Sequence, residues 1–257
     1  MRLFDTHCHL QDERLLPEVD AVVTRAATAG VRYMLCCGSS EDDWGAVIDL
    51  AYRYECVIPA LGIHPWHIGA VRGGWNERLE HLLRDHPEVA VGEIGLDHVL
   101  EERNDDEQME IFYRQLILAR QLGRPVSIHC RRAWGSLMEL LRREPGIARN
   151  GVIHSYSGPV ELVEELQRHG LLLSFSGSIT YERNRRAREA VVKVNREHLL
   201  FETDSPDIPP DGHEGNNEPR TMVQVVETVA GLRGVPVEQV AKDAYSVASE
   251  LFLPSRV

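Results

Sequence analysis

Leu3-Phe4-Asp5-Thr6-His7-Cys8-His9 begins as a short apolar strand and ends on two histidines. Other segments repeat that plan: Pro125-Val126-Ser127-Ile128-His129 and Gly151-Val152-Ile153-His154 each close an apolar run on a histidine. The run 89–93 ends on Glu93, and Leu199-Leu200-Phe201-Glu202 leads into Thr203-Asp204. Between these runs lie longer stretches of helical period. The pattern predicts strands at 3–8, 33–37, 57–62, 89–93, 126–129, 151–154, 171–174 and 199–202. It predicts helices at 17–29, 43–54, 75–85, 105–122, 134–143, 160–169 and 185–194. This alternation is the mark of β/α units on a parallel sheet. Eight units in 257 residues fit an α/β fold of the (β/α)8, TIM-like barrel type. An open doubly wound sheet shares the alternation and is the competing architecture.

Two further helices, 219–232 and 237–251, follow the last strand, with Pro219 and Pro236 at first-turn positions. The loop 206–218, rich in Pro, Gly, Asp and Asn, reads as a rim loop rather than a linker. Residues 1–257 are therefore expected to form one barrel domain with extra C-terminal helices.

A formal net charge of -12 argues against broad binding to duplex nucleic acid, which relies on many Lys and Arg contacts to phosphates. It leaves room for a nucleic-acid substrate at a locally cationic pocket, because two divalent ions would add positive charge there. Cys8, Cys36, Cys37, Cys56 and Cys130 are odd in number and lie in strand-like segments, which fits reduced thiols. The first residues hold no apolar run of signal-peptide type, and no stretch reaches the roughly 18 apolar residues of a membrane helix. A cytoplasmic protein without membrane contact or an obligate protein partner is the expectation.

The titratable residues gather at the C-terminal ends of the strands, the face on which barrel enzymes build their sites. Side chains alternate along a strand, so His7 and His9 point one way and Cys8 the other. Their Cα atoms are about 7 Å apart, within reach of one ion. A His-x-His on one strand also describes two half-buried histidines. Asp5 reads as a partner behind them or as a solvated or capping residue. Glu93, in Val91-Gly92-Glu93-Ile94-Gly95-Leu96-Asp97, is a carboxylate in an apolar, Gly-rich strand end, where an unpaired charge is costly and a metal or a salt bridge would supply its partner. Asp97 reads equally as a capping or turn residue. Counting candidate ligands gives His7, His9, Glu93 and Asp204 for one ion and His129, His154 and Glu93 for a second, with Glu93 as the bridge. Such mixed imidazole and carboxylate sets suit zinc, manganese, iron or cobalt, and magnesium where waters remain.

Arg131, two residues beyond His129, could grip a phosphate oxygen through its planar fork. Arg183, Arg185, Arg186 and Arg188 could do so too, or form the solvated face of a helix. In Gly62-Ile63-His64-Pro65-Trp66-His67, His64 is placed to contact a substrate phosphate, and Trp66 either stacks a base or covers the core.

Taken together these motifs resemble the TatD family of metal-dependent deoxyribonucleases within the amidohydrolase-like barrels. The resemblance is carried by Asp5-Thr6-His7-Cys8-His9, Gly62-Ile63-His64-Pro65, Gly92-Glu93-Ile94-Gly95-Leu96-Asp97, His129-Cys130-Arg131, His154-Ser155-Tyr156-Ser157-Gly158, Ser174-Phe175-Ser176-Gly177 and Glu202-Thr203-Asp204-Ser205-Pro206. It implies a phosphodiester-hydrolysing site with His7, His9, Glu93, His129, His154 and Asp204 as metal ligands, and with Asp204 also taking the proton of the nucleophilic water. It further implies that Asn217-Glu218-Pro219 is a family motif of the last rim loop. Two positions depart from the pattern: Trp66 stands where many members carry a histidine, and His98 where many carry tyrosine. Both are expected to face substrate.

The leading expectation is thus a hydrolase with two divalent ions (zinc, manganese or magnesium) that cuts phosphodiester bonds, in DNA from an exposed 3′ end or in another phosphodiester. Glu93 and Asp204 would be catalytic, and His64 and Arg131 would hold substrate. A second reading keeps the metal site and cuts amide, lactone or ring C–N bonds. Many such barrels bridge their ions with a carboxylated lysine, where this chain has Glu93. A third reading, a non-catalytic metal-binding module, fits less well, because structural zinc sites are closed and Cys-rich.

Overall fold

The apolar runs form eight parallel strands, hydrogen-bonded in the order in which they occur along the chain. They are β1 (Leu3–Cys8), β2 (Val31–Cys37), β3 (Val57–Leu61), β4 (Ala90–Asp97), β5 (Val126–Arg131), β6 (Gly151–Ile153), β7 (Leu172–Phe175) and β8 (Leu199–Phe201). A computed structural model supplies this description, for residues 1–101 and 104–253. The helices are α1 (Val19–Thr28), α2 (Trp44–Arg53), α3 (Trp75–Asp85), α4 (Asp105–Leu122), α5 (Trp134–Arg143), α6 (Val163–Arg168), α7 (Arg185–Lys193), α8 (Met222–Arg233) and α9 (Val237–Phe252). No helix among the described residues is long and apolar enough to cross a membrane.

Consecutive strand order excludes the doubly wound alternative, whose order reverses at a switch point. The ring is nearly closed just past β8, where Asp204 N–H donates to His7 O at 2.9 Å and His9 N–H to Ser205 O at 2.7 Å. Asp5 reinforces that seam. It is fully buried, not solvated, and its carboxylate accepts from Thr203 N–H at 2.9 Å and Thr203 Oγ1 at 2.5 Å.

The barrel interior is layered. At the bottom Phe4, Leu35, Ile58, Ala60, Ala90, Val152, Leu172 and Leu200 form an apolar cluster with Ala248, Phe252 and Leu253 at the end of the last helix. The Phe4 and Phe252 ring centroids are 5.7 Å apart, so α9 packs across that end of the barrel. Above this plug lies a buried polar belt in which Thr6 Oγ1 meets Ser174 Oγ at 2.9 Å and donates to Phe201 O at 3.0 Å. The titratable side chains stand above the belt. A second and larger apolar layer, including Leu3, Cys8, Val22, Val47, Leu79, Leu116, Leu137 and Val225, fills the space between strands and helices.

β4 and β5 run further at their C-terminal ends than the sequence pattern predicts: β4 continues to Asp97 and β5 to Arg131, and these two residues pair in register. Glycine explains the extension. Gly95 has φ +149°, and a Cβ there would lie 2.0 Å from His129 O, so only glycine lets β4 approach β5 this closely. The rim loop after β8 is pinned by Asn217, whose Nδ2 donates to Thr203 O and Asp207 O, both at 2.8 Å, and whose Oδ1 accepts from Glu218 N–H at 2.9 Å. Gly95→Ala is expected to destabilise the protein by about 3 kcal/mol or more, since the clash is with backbone rather than a movable side chain. Urea denaturation measures this, and a loss under about 0.5 kcal/mol would mean that the two strands part without cost.

Candidate metal centre

The strand ends bring His7, His9, Glu93, His129, His154 and Asp204 into one cluster. Glu93 is its hub, and its two oxygens face different groups. Oε2 lies 3.3 Å from His7 Nε2 and 3.5 Å from His9 Nε2. Those nitrogens are 3.2 Å apart and lie 3.7 and 3.6 Å from Asp204 Oδ1. Oε1 lies 2.8 Å from His154 Nε2 and 3.1 Å from His129 Nδ1, which are themselves 3.2 Å apart. Donors held at about 2.0–2.1 Å around a tetrahedral zinc ion would be spaced about 3.3 Å apart. Both donor sets therefore have the spacing that an ion requires. Three groups of donors lie close enough together to hold an ion: His7, His9 and Asp204; His7, Glu93 and His154; and His64, Glu93 and His129.

A ligating imidazole must keep one nitrogen free of hydrogen, and its other nitrogen decides which. For His9, Nδ1–H donates to Cys37 O at 2.8 Å, leaving Nε2 open. For His154, Nδ1 faces Glu202 Oε1 at 3.2 Å, and for His7, Nδ1 faces Ser127 Oγ at 2.8 Å. His129 is turned over: Nε2 faces Asp97 Oδ2 at 3.1 Å, and Nδ1 points to Glu93. In each case the partner behind the ring is consistent with a free nitrogen towards the cluster.

His64 obeys the opposite rule. Its Nδ1 accepts from Trp66 N–H at 3.1 Å, so a neutral ring carries its hydrogen on Nε2, which lies 3.4 Å from Glu93 Oε1. The ring therefore presents a hydrogen-bond donor rather than a lone pair to the cluster. Burial pushes its pKa down to about 4, which keeps it neutral.

The electrostatics call for positive charge. Burial alone would raise the Glu93 pKa, yet the imidazoles of His64, His154 and His7 hold it well below the ordinary carboxylate value. Asp204 is likewise held down against its burial, chiefly by His9. Burial opposes a proton on His9, but Asp204 and Glu93 raise its pKa to about 9, and Glu93 and Glu202 raise that of His154 well above its usual value. Without a cation the cluster gathers protons in its place.

Sequence reasoning missed the supporting groups. Glu202 was one; its signal was a charged residue closing the apolar run 199–201, two residues before Asp204. It is fully buried, and Oε1 also accepts from Ser155 N–H at 2.7 Å. Ser127 was another, two residues before His129 on β5. Asp97 does act in a turn, accepting from Val99 N–H at 2.8 Å, but its other oxygen holds His129. Cys8 faces away, into the layer between strands and helices.

The cluster opens on a cleft of ≈ 770 Å³ lined by His9, Arg14, His64, Trp66, Arg131 and Asp204 among others. Arg131 is half exposed, its Nη1 4.0 Å from Asp97 Oδ2. Arg14 is tied to Asp12 and Asp207 and carries little free charge. Of the two departures noted in the sequence, Trp66 lines the cleft, but His98 does not and instead lies 3.6 Å from Asp105. Of the later arginines, Arg188 donates to Ile179 O at 3.0 Å and Arg183 stacks on Tyr181.

Comparison with known proteins agrees with this geometry. The profile of the family described as TatD related DNase matches residues 4–253. An uncharacterized metal-dependent hydrolase, YjjV of Escherichia coli K12, is 32% identical over 254 residues, covering 98% of each chain. The crystal structure of the Escherichia coli K12 TatD homolog YjjV superposes with a TM-score of 0.93, again at 32% identity and 98% coverage of both chains. The 3′-5′ ssDNA/RNA exonuclease TatD of Citrobacter koseri is 31% identical over 258 residues, covering 97% of this chain and 98% of that protein. With five strand ends converging on one His and carboxylate cluster, the chain belongs to the TatD-related family of metal-dependent hydrolases.

Proposed function

We propose that this chain hydrolyses phosphodiester bonds, with DNA as its substrate class and attack from an exposed 3′ end, and that residues 1–257 act as one hydrolase domain, of which 102–103 and 254–257 lie outside the described residues. The observation that carries the reading is Glu93, whose two oxygens each face a separate set of nitrogen donors beneath an open cleft. His7, His9, Glu93 and Asp204 would hold one divalent ion, and Glu93, His129 and His154 a second, with zinc, manganese or magnesium as candidates. When bound, such ions supply Lewis-acid charge to a phosphate oxygen and lower the pKa of water.

The protein's own groups do the rest. Asp204, kept ionised, accepts the proton of the attacking water. The water oxygen forms a bond to phosphorus, the bond to the leaving oxygen breaks, and that oxygen takes up a proton. His64 offers its Nε2–H to a phosphate oxygen, and Arg131 supplies a guanidinium at the cleft wall. The names of relatives support a nucleic-acid substrate: one is a ssDNA/RNA exonuclease and another a putative deoxyribonuclease of Danio rerio. The five unpaired thiols support a reducing compartment such as the cytoplasm.

Metal analysis of protein saturated with zinc or manganese should find two ions per chain, and none under replete conditions would remove the mechanism. Asp204→Asn should keep the circular dichroism of the parent and lose about 10²- to 10⁴-fold in kcat; parental turnover would move the base elsewhere. The deciding experiment is an assay of metal-loaded protein on single-stranded DNA, duplex DNA, RNA, a small phosphodiester and a panel of amides and lactones. Cleavage of single-stranded DNA and the small phosphodiester is expected. Activity on amides or lactones alone would overturn the assignment.

A further inference from the structure

Trp66 is a large aromatic residue left 57% exposed, whereas the other three tryptophans are buried or half-buried. Single exposed apolar side chains are ordinary on protein surfaces. This one differs in place and in rigidity. It lines the cleft above the metal centre, and its Nε1–H donates to Asp97 Oδ2 at 2.8 Å. Its ring stands edge-on to the His64 ring, with centroids 5.0 Å apart and planes at 89°. The residue itself sits in the tight turn Pro65–Ala70, where its backbone N–H is bound to His64. Both ends of the side chain are thus fixed, yet more than half of its surface stays in water.

The same carboxylate gathers the surrounding chemistry. Asp97 Oδ2 receives Trp66 Nε1–H and His129 Nε2–H and lies 4.0 Å from Arg131 Nη1. A fixed aromatic surface, a guanidinium and a metal-facing imidazole are therefore set around one buried anion. A flat apolar ring beside a phosphodiester would meet that surface when the phosphate lies at the metal centre and Arg131.

We infer that Trp66 is a specificity-determining residue: it stacks the unpaired base of the nucleotide flanking the phosphodiester held at the metal centre. The inference rests on the phosphodiesterase reading above and deepens it. A base inside a duplex has both faces covered by its neighbours, whereas an unpaired terminal base can give one face to the indole. The platform thereby favours frayed or single-stranded ends through stacking, without reading base edges.

The test compares two single-stranded oligonucleotides on manganese-loaded protein, one natural and one whose 3′-terminal residues are abasic. Stacking of one base corresponds to roughly 5- to 150-fold in kcat/KM, so the parent should prefer the natural oligonucleotide by a factor in that range. Trp66→Leu should bring the ratio close to one. Trp66→Phe should keep most of the ratio while lowering both rates together, because it retains a ring face but loses the N–H held by Asp97. An unchanged ratio in Trp66→Leu would overturn the inference. A second readout does not need turnover: titration with a dithymidine phosphorothioate should quench tryptophan fluorescence in the parent and not in Trp66→Phe. No quenching in the parent overturns the stacking role even where DNA is cut, whereas quenching without cleavage of either oligonucleotide keeps the platform and overturns the phosphodiesterase reading.

Discussion

One buried carboxylate governs the architecture above the barrel. Glu93 lies within 3.5 Å of five imidazoles, those of His7, His9, His64, His129 and His154. A charge taken so far out of water is tolerable only with strong compensation, and the residues around Glu93 provide it. Four of the rings are then oriented by a second set of groups, Ser127, Cys37 O, Asp97 and Glu202, each on a different strand or strand end. Moving β1, β2, β4 or β5 relative to its neighbours would turn a ring away from the hub. The site therefore depends on barrel geometry far more than on any single loop.

The layered interior follows from the same constraint. Histidines and carboxylates cannot sit directly on an apolar core without unmet hydrogen bonds. The belt of Thr6, Ser127, Ser174 and Thr203 lies between the two, and it satisfies backbone and side-chain groups that would otherwise face hydrocarbon. Asp5 has a related part at the seam, where it ties the first strand to the segment that carries Asp204. The two strand ends that meet there bring His7, His9 and Asp204 together.

Most of this was legible in the sequence because parallel strands buried on both faces read as apolar runs, and a titratable residue at the end of such a run stands out. The runs ending on His129 and His154, and the pair His7 and His9, are of that kind, and three helices have the predicted bounds. What escaped the reading was contact rather than pattern. Glu202 and Ser127 act through hydrogen bonds to rings on other strands, and spacing along one strand does not encode a neighbour's orientation. Asp97 looked like a turn residue because it is one, and its second oxygen shows its partner only in three dimensions. His98 was expected at the substrate because it stands where many family members carry tyrosine, but its ring lies 3.6 Å from Asp105. His64 was read as a substrate contact and not as a ligand, and the Trp66 N–H at its Nδ1 puts the hydrogen of a neutral ring on Nε2, in keeping with that reading.

The packing of α9 across the bottom of the barrel has a consequence for traffic through the molecule. Phe252 and Leu253, set against Phe4 and Leu200, make the bottom of the barrel interior an apolar plug on the far side of the polar belt from the cleft. On the proposed reading, ions and substrate reach the cluster through the cleft bounded by His64, Trp66 and Arg131, and whatever is cut leaves by the same opening before the next molecule enters.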